Sequence, residues 1–225
     1  MDLRDRHVVV TGAAGGIGSA IAKRLNDAGA RLTVSDLHGA DALARDLTDA
    51  VSVAADIGTE SGNIDLIEAA RSTHGEIDLF FANAGVAIGT DPMDAEGTWD
   101  TAFAINLHAH RWAARHLLPS WLERGEGYFC STASAAGLLA QIGSAPYSVT
   151  KHGAVAFAEW LAITYGARGL RVSCLCPQGV NTNMLNSDVA GGGGGDVVRV
   201  AGVKKKRRVN VSGGLGRVNV NRGGK

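Results

Sequence analysis

Cysteine is scarce in this chain, and long apolar runs are missing. The three cysteines, Cys130, Cys174 and Cys176, form an odd set with neither a disulfide framework nor zinc-ligand spacing, which fits free thiols in a reducing compartment. Every apolar stretch is broken by polar or charged residues before the ~18 positions that a membrane-spanning helix needs. The opening residues Met1–His7 carry charges where a signal peptide needs an apolar core. A soluble, cytoplasmic protein is the expectation. The composition, 45% hydrophobic and 20% charged residues over a length of 225, suffices for one domain with a sizeable core and excludes a disordered chain or a stapled mini-protein.

Acidic residues are absent after position 203. Eight of the 22 basic residues lie there, so residues 1–203 carry a net −8 and the remainder +8 behind an overall charge of +0. Composition changes as well: Gly191 to Gly195 is an unbroken glycine run, and the residues beyond it mix Gly, Arg, Lys, Val and Asn without an amphipathic helix. Two regions are therefore expected, a folded domain over 1–188 and a glycine-rich, basic, poorly ordered tail over 189–225. Val209, Val211, Val218 and Val220 alternate with polar residues around Ser212–Gly216, which permits a short hairpin without requiring one.

From Arg6 to about Cys176, short Val/Leu/Ile-rich runs alternate with longer amphipathic stretches, the pattern of a parallel sheet covered by helices on both faces. Strands are expected at His7–Val10, Arg31–Ser35, Val51–Ala54, Ile77–Phe81, Gly127–Cys130 and Leu170–Leu175. Helices are expected near Gly16–Ala28, Gly39–Leu47, Glu60–His74, Thr98–Glu123 and Pro146–Ala167, the first closed by Gly29. The fold class is α/β, a doubly wound, Rossmann-like parallel sheet.

The first strand runs into Thr11-Gly12-Ala13-Ala14-Gly15-Gly16-Ile17-Gly18 and then a helix. Glycines there let backbone approach a diphosphate, and the helix N-terminus supplies an anion site without a lysine; the same glycines also serve tight strand–helix packing. Asp36 ends the second strand about twenty residues later, where an acid can bond the adenosine ribose hydroxyls and repel a phosphate on them. No Arg or Lys at 12–18 or at 37 would neutralise such a phosphate, so NAD is expected rather than NADP. Asp56 ends the third strand, placed to contact adenine or to cap the next helix.

Tyr147 and Lys151, four apart in an expected helix, share one face about a turn apart. Lowering a phenol of pKa ~10 by about three units needs roughly 4 kcal/mol. One lysine charge near 4 Å at an effective dielectric of ~20 provides about that much. The pair also comes after the fifth strand, and loops at the carboxyl ends of strands form the crevice of such sheets. His108 and His110 point about 200° apart on a helix, so no metal site is expected there or elsewhere. Trp99, Trp112, Trp121 and Trp160 lack interleaved basic residues and read as packing or subunit contacts rather than a base-stacking platform.

In order along the chain, these residues resemble the short-chain dehydrogenase/reductase family: Thr11-Gly12-x-x-x-Gly16-x-Gly18, Asn83-Ala84-Gly85, Asn106, Ser134, and Tyr147-x-x-x-Lys151. Pro177-Gln178-Gly179-Val180-Asn181-Thr182 is similar to the family's Pro-Gly segment with the glycine displaced by one. The resemblance covers roughly residues 5 to 200. It implies that Ser134 orients the carbonyl or carbinol oxygen, Tyr147 exchanges the proton, and Lys151 tunes the tyrosine while holding the nicotinamide ribose. It also implies that Asn106 positions a water linking Lys151 to solvent. Asn83, Ala84 and Gly85 would line the adenosine side, and Pro177, Gly179 and Thr182 the nicotinamide side. The family pairs its fifth and sixth helices into dimers, so a homo-oligomer is expected.

Beyond Thr182 the family pattern fades. Val209-Asn210-Val211-Ser212-Gly213-Gly214 resembles a seventh strand, yet the helix before it is missing. Only two lysines precede position 204, where three arrive consecutively, which reads as a truncated end or a shifted reading frame. With the sixth strand then an open edge and the substrate site incompletely covered, impaired activity is expected. The leading function is hydride transfer between NAD(H) and a secondary alcohol or ketone. Ala135, Ala136, Leu138, Leu139, Ile142 and Ala145 suggest a small, moderately apolar substrate. The alternative is a non-catalytic dinucleotide-binding module whose Lys204–Arg208 run serves as a targeting signal or nucleic-acid contact. Such runs are more often simply solvated, and the complete Ser–Tyr–Lys set favours catalysis.

Overall fold

A computed structural model describes residues 2–180. The expectations for Thr182, the basic tail and the seventh strand lie outside the described residues. Six parallel strands form one sheet: β1 His7–Thr11, β2 Arg31–Asp36, β3 Ala50–Ala54, β4 Leu79–Ala82, β5 Gly127–Thr132 and β6 Leu170–Leu175. Their order is β3-β2-β1-β4-β5-β6, the doubly wound arrangement whose direction reverses between β1 and β4. Among the described residues β6 pairs on one side only, with β5. The helices are α1 Gly16–Asp27, α2 Ala40–Arg45, α3 Glu60–His74, α4 Glu96–Phe103, α5 Ala109–Arg124 and α6 Ala145–Tyr165. None of them is long and apolar enough to cross a membrane.

Two apolar layers arise from the pleat of β1, whose successive side chains point to opposite faces. Val9 packs with Leu66, Ile67, Leu117, Trp121, Phe129 and Leu161, residues of α3, α5, β5 and α6. Val8 and Val10 pack with Ala22, Leu25, Leu32, Val34 and Leu43 on the α1 and α2 side. A strand buried on both faces has no polar alternation, which is why HVVVT reads as a continuous apolar run. Gly29, at φ +83°, takes the left-handed position that ends α1, as its place after Ala28 foretold.

Most boundaries differ from expectation by one or two residues, and three of the differences have a visible cause or consequence. β4 starts at Leu79 rather than Ile77, whose carbonyl instead accepts from Trp121 Nε1 (2.7 Å) and Arg124 Nη2 (2.8 Å). The expected helix Thr98–Glu123 begins earlier, at Glu96, and is interrupted by a π-helical turn over Ala104–His108. α6 stops at Tyr165, and a 3-10 turn, Gly166–Arg168, leads to Gly169 at φ +93°. A Cβ on Gly169 would run into the Gly125 carbonyl, so glycine alone fits where these two loops meet.

Candidate active site

The strand order reverses between β1 and β4, and the chain leaves β1 through glycine at that point. Gly12 holds φ +63°, and a Cβ there would sit 2.7 Å from the Ala84 Cα. A Cβ on Gly18 would overlap the Gly12 carbonyl. The turn is thus side-chain-free because it is pressed against both β4's exit and its own helix. The N-cap of α1, Gly15, supplies no capping side chain, and the first turn has no acid. The leading N–H groups of α1 are therefore available to an anion. Gly16, Ile17 and Gly18 line the cleft in front of them.

Asp36, the last residue of β2, turns its carboxylate back to this turn. Its Oδ2 accepts from Ala14 N at 3.0 Å and its Oδ1 from Leu37 N at 2.8 Å. Among the described residues lining the cleft, the one basic side chain is Lys151. Asp56 also lines the cleft, and its Oδ1 accepts from Gly58 N at 3.0 Å. The cap of α3 is Thr59 instead, whose hydroxyl accepts from Gly62 N, so Asp56 is not the cap.

Asn83 ties the crevice together. Its Nδ2 donates to the carbonyls of Thr11 (3.0 Å) and Gly12 (3.3 Å), and its Oδ1 accepts from Thr132 Oγ1 (3.1 Å). Thr11 Oγ1 in turn accepts from the N–H groups of Asn83 and Ala84. The ends of β1, β4 and β5 are held in register by side chains that the sheet ladder does not use.

Across the cleft, α6 presents its inner face. Lys151 is 2% exposed, and its Nζ donates to the Thr132 carbonyl at 2.9 Å and lies 5.6 Å from the Tyr147 ring centroid. Burial pushes this ammonium down to about 8. Tyr147 does not show the expected lowering. Burial raises its phenol above the ordinary value, with the Ser134 hydroxyl pulling weakly the other way. The physical reason is that Lys151 directs its charge at a carbonyl, while the ring is withdrawn from water. Ser134 starts a one-turn 3-10 helix, Ala135–Gly137, and its Oγ accepts from Ala136 N at 3.1 Å.

Asn106 stands in the π turn, fully buried. Its Oδ1 accepts from Val86 N (2.9 Å), and its Nδ2 donates to Val86 O (2.9 Å) and Thr150 Oγ1 (3.1 Å). A Cβ built on Gly85 would lie 3.1 Å from both Asn106 Oδ1 and Lys151 Nζ, so Gly85 is the gap across which these two face each other.

The structure brings Gly12, Gly16, Ile17, Gly18, Asp36, Asp56, Asn83, Ala84, Gly85, Tyr147, Lys151 and Pro177 to one cleft. Ser134, Asn106 and Gly179, the last exposed at φ +58°, are not among its lining residues, although the Ser134 side chain meets Tyr147, which is. Residue-by-residue reading named Thr11 only as the start of the glycine motif and missed Thr132, Thr150 and Val86. Only the polar type of the strand-end threonines could have signalled them. The features fit a dinucleotide: a side-chain-free glycine turn lining the cleft, an uncapped helix end for phosphate, and a carboxylate beside it for ribose hydroxyls.

A family model described as short chain dehydrogenase matches residues 6–191, and the chain belongs to that family of oxidoreductases. It is 34% identical over 203 residues to the 1-deoxy-11-beta-hydroxypentalenate dehydrogenase of Streptomyces avermitilis, across 84% of this chain and 74% of that one. It is 32% identical over 188 residues to the cis-4-hydroxycyclohexanecarboxylate dehydrogenase of Sinomonas cyclohexanicum, across 80% and 76%. Among solved structures, a 3-ketoacyl-(acyl-carrier-protein) reductase from Brucella melitensis complexed with NADH matches with a TM-score of 0.78 at 28% identity, covering 82% of this chain and 80% of that one. A short chain dehydrogenase/reductase from Burkholderia phymatum in complex with NAD matches with a TM-score of 0.78 at 26% identity, covering 86% and 73%.

Proposed function

We propose that this chain is an NAD(H)-dependent oxidoreductase that interconverts a secondary alcohol and its ketone. The observation that carries the reading is one continuous cleft with the glycine turn and Asp36 at one end and Tyr147 and Lys151 at the other. NAD and NADH in the two matching structures support the cofactor, and the hydroxylated substrates in the names of the two relatives support the substrate class.

Asp36 would bond the adenosine ribose hydroxyls, the N–H groups from Gly16 to Gly18 the diphosphate, and Lys151 the second ribose. When bound, the nicotinamide supplies or accepts the hydride. The protein's part is the oxygen and its proton. Tyr147, kept protonated by burial, donates its phenolic proton to the carbonyl oxygen of a ketone as that oxygen gains charge. Ser134 would add a second donor to the same oxygen. Lys151, 5.6 Å from the phenol ring, would stabilise the phenolate that remains. Asn106 acts as a positioning residue: by clamping Val86 and Thr150 it fixes Gly85 and the α6 turn that carries Lys151.

NADH fluorescence titration followed by a panel of secondary alcohols with NAD tests the reading. Saturable NADH binding with turnover of at least one alcohol is expected. Absence of NADH binding would remove its basis.

A further inference from the structure

Cys174 lies near the end of β6, and Cys176 sits just beyond that strand's last residue. The i, i+2 spacing puts both thiols on one face of the sheet. That face is the one against Ser134 and Lys151. Ala133 N donates to Leu175 O at 2.8 Å and Ala135 N to Pro177 O at 2.9 Å, so the chain carrying Cys176 is stitched to both neighbours of Ser134. Both thiols are partly exposed, whereas Cys130 is buried.

We propose that Cys174 and Cys176 form a redox-sensitive dithiol, oxidised by peroxide to an intrachain disulfide that displaces Ser134 and switches the site off. The Cα spacing is within reach, while the Cβ atoms, which start about as far apart, must close to roughly 3.5–4.5 Å, so the bridge forms only with movement of the backbone. Two residues of strand span about 6.6 Å between Cα atoms, near the upper end of the roughly 4.4–6.8 Å that a disulfide bridges. Closure draws Cys176 back toward β6, and because Pro177 O holds Ala135 N, the Ser134 turn moves with it. A bridge formed at that limit is strained, hence easily reduced again.

The thiols differ in readiness. Cys176 is held below the ordinary thiol value by the neighbouring Cys174 thiol, with help from the Ser134 backbone N–H and the Lys151 charge. Cys174 is pushed up by that same neighbour and by burial, and burial pushes Cys130 up to about 12. Cys176 is therefore the attacking thiolate and Cys174 the resolving thiol. The Cys176 thiolate attacks one peroxide oxygen, the O–O bond breaks, and hydroxide leaves to become water, giving a sulfenic acid. The Cys174 sulfur then attacks the Cys176 sulfur, the S–O bond breaks, and a second water leaves. The two thiols lose two electrons and two protons in total, and one hydrogen peroxide becomes two waters.

The consequence for turnover rests on the proposed function, whereas the disulfide does not, so the experiment reads the thiols directly. The full-length protein, reduced and then treated with hydrogen peroxide, is analysed by thiol titration and by mass spectrometry of the peptide spanning both cysteines. We expect titratable thiols to fall from three to one, a loss of about 2 Da on that peptide, and reversal by dithiothreitol. Cys174→Ala should instead leave an oxygen adduct on Cys176, and Cys176→Ser should block the mass loss. Where an active alcohol is known, oxidation should lower turnover at least about tenfold, as misplacement of a reacting group does. Three thiols surviving peroxide, a disulfide between two chains, or an over-oxidised Cys176 beside an intact Cys174 would overturn the proposal.

Discussion

Asp36 does two jobs with one carboxylate. It fastens the glycine turn through Ala14 N and Leu37 N, and in the proposed function it would also meet the adenosine ribose with its charge. A phosphate on that ribose would meet this charge with no arginine or lysine beside it among the described residues lining that end of the cleft. NADH should therefore bind at least about tenfold more tightly than NADPH, a gap of ~1.4 kcal/mol. Asp36→Ala should narrow the gap by weakening NADH more than it strengthens NADPH, because the turn loses two of its bonds. Parallel fluorescence titrations check this, and equal affinities in the unmodified protein would contradict it. At this scale the sequence was informative where function imposes a spacing: Asp36 after the turn, Tyr147 four before Lys151. It was silent on Thr132 and Val86, and on the bonds that Thr11 makes, since their partners lie 20 to 73 positions away and leave no local period. It also misjudged the Tyr147 phenol, since spacing gives the nearness of a charge but neither its direction nor the burial that opposes it.

The elements depend on contacts too close for any side chain. Gly18 is the case that bears on the cofactor turn, because a Cβ there would strike the Gly12 carbonyl, and no flexible atom can yield. Gly18→Ala should push α1 off the turn, costing about 1–3 kcal/mol as overpacking does, and reduce NADH affinity more than stability alone explains. Denaturant unfolding with and without NADH separates the two effects; an affinity equal to the unmodified protein's would contradict the role given to the turn. The π turn works differently. It places Asn106 so that one amide meets both polar groups of Val86 and the Thr150 hydroxyl. Nothing in Ala104-Ile105-Asn106-Leu107-His108 announces a change of helical period, so a single long helix was the natural reading of that stretch. The strand and helix order was legible because apolar runs and amphipathic stretches alternate throughout the sheet. The boundaries moved where side chains such as Trp121 and Arg124 took a carbonyl that a ladder would otherwise use.

Across the whole molecule, two buried imidazoles tie stability to pH. His110, bonded through Nδ1 to Ser131 Oγ, is lowered to about 3 by burial and by the Lys151 charge. His7, between Gly75 O and Thr33 Oγ1, is lowered to about 4 by burial. Both are neutral when folded, and in the unfolded chain they take up protons near 6.5. Their stabilising contribution is thus complete above about 6.5 and is lost as pH falls toward 4 and 3. Each contributes a slope of about 1.4 kcal/mol per pH unit in that window. Denaturant midpoints should fall steadily between pH 6.5 and 5, before most carboxylates titrate, and a flat profile there would contradict the burial assigned to both rings. In the proposed function the cleft works as a unit, with cofactor held at one end and a proton delivered at the other. Tyr147→Phe separates these, since it removes the phenolic oxygen and keeps the ring. The decisive measurement is turnover of an active secondary alcohol by this variant, alongside its NADH affinity. Turnover should collapse by at least about a hundredfold while affinity stays within a few-fold; a variant that keeps the unmodified protein's turnover would contradict the claim that Tyr147 carries the proton.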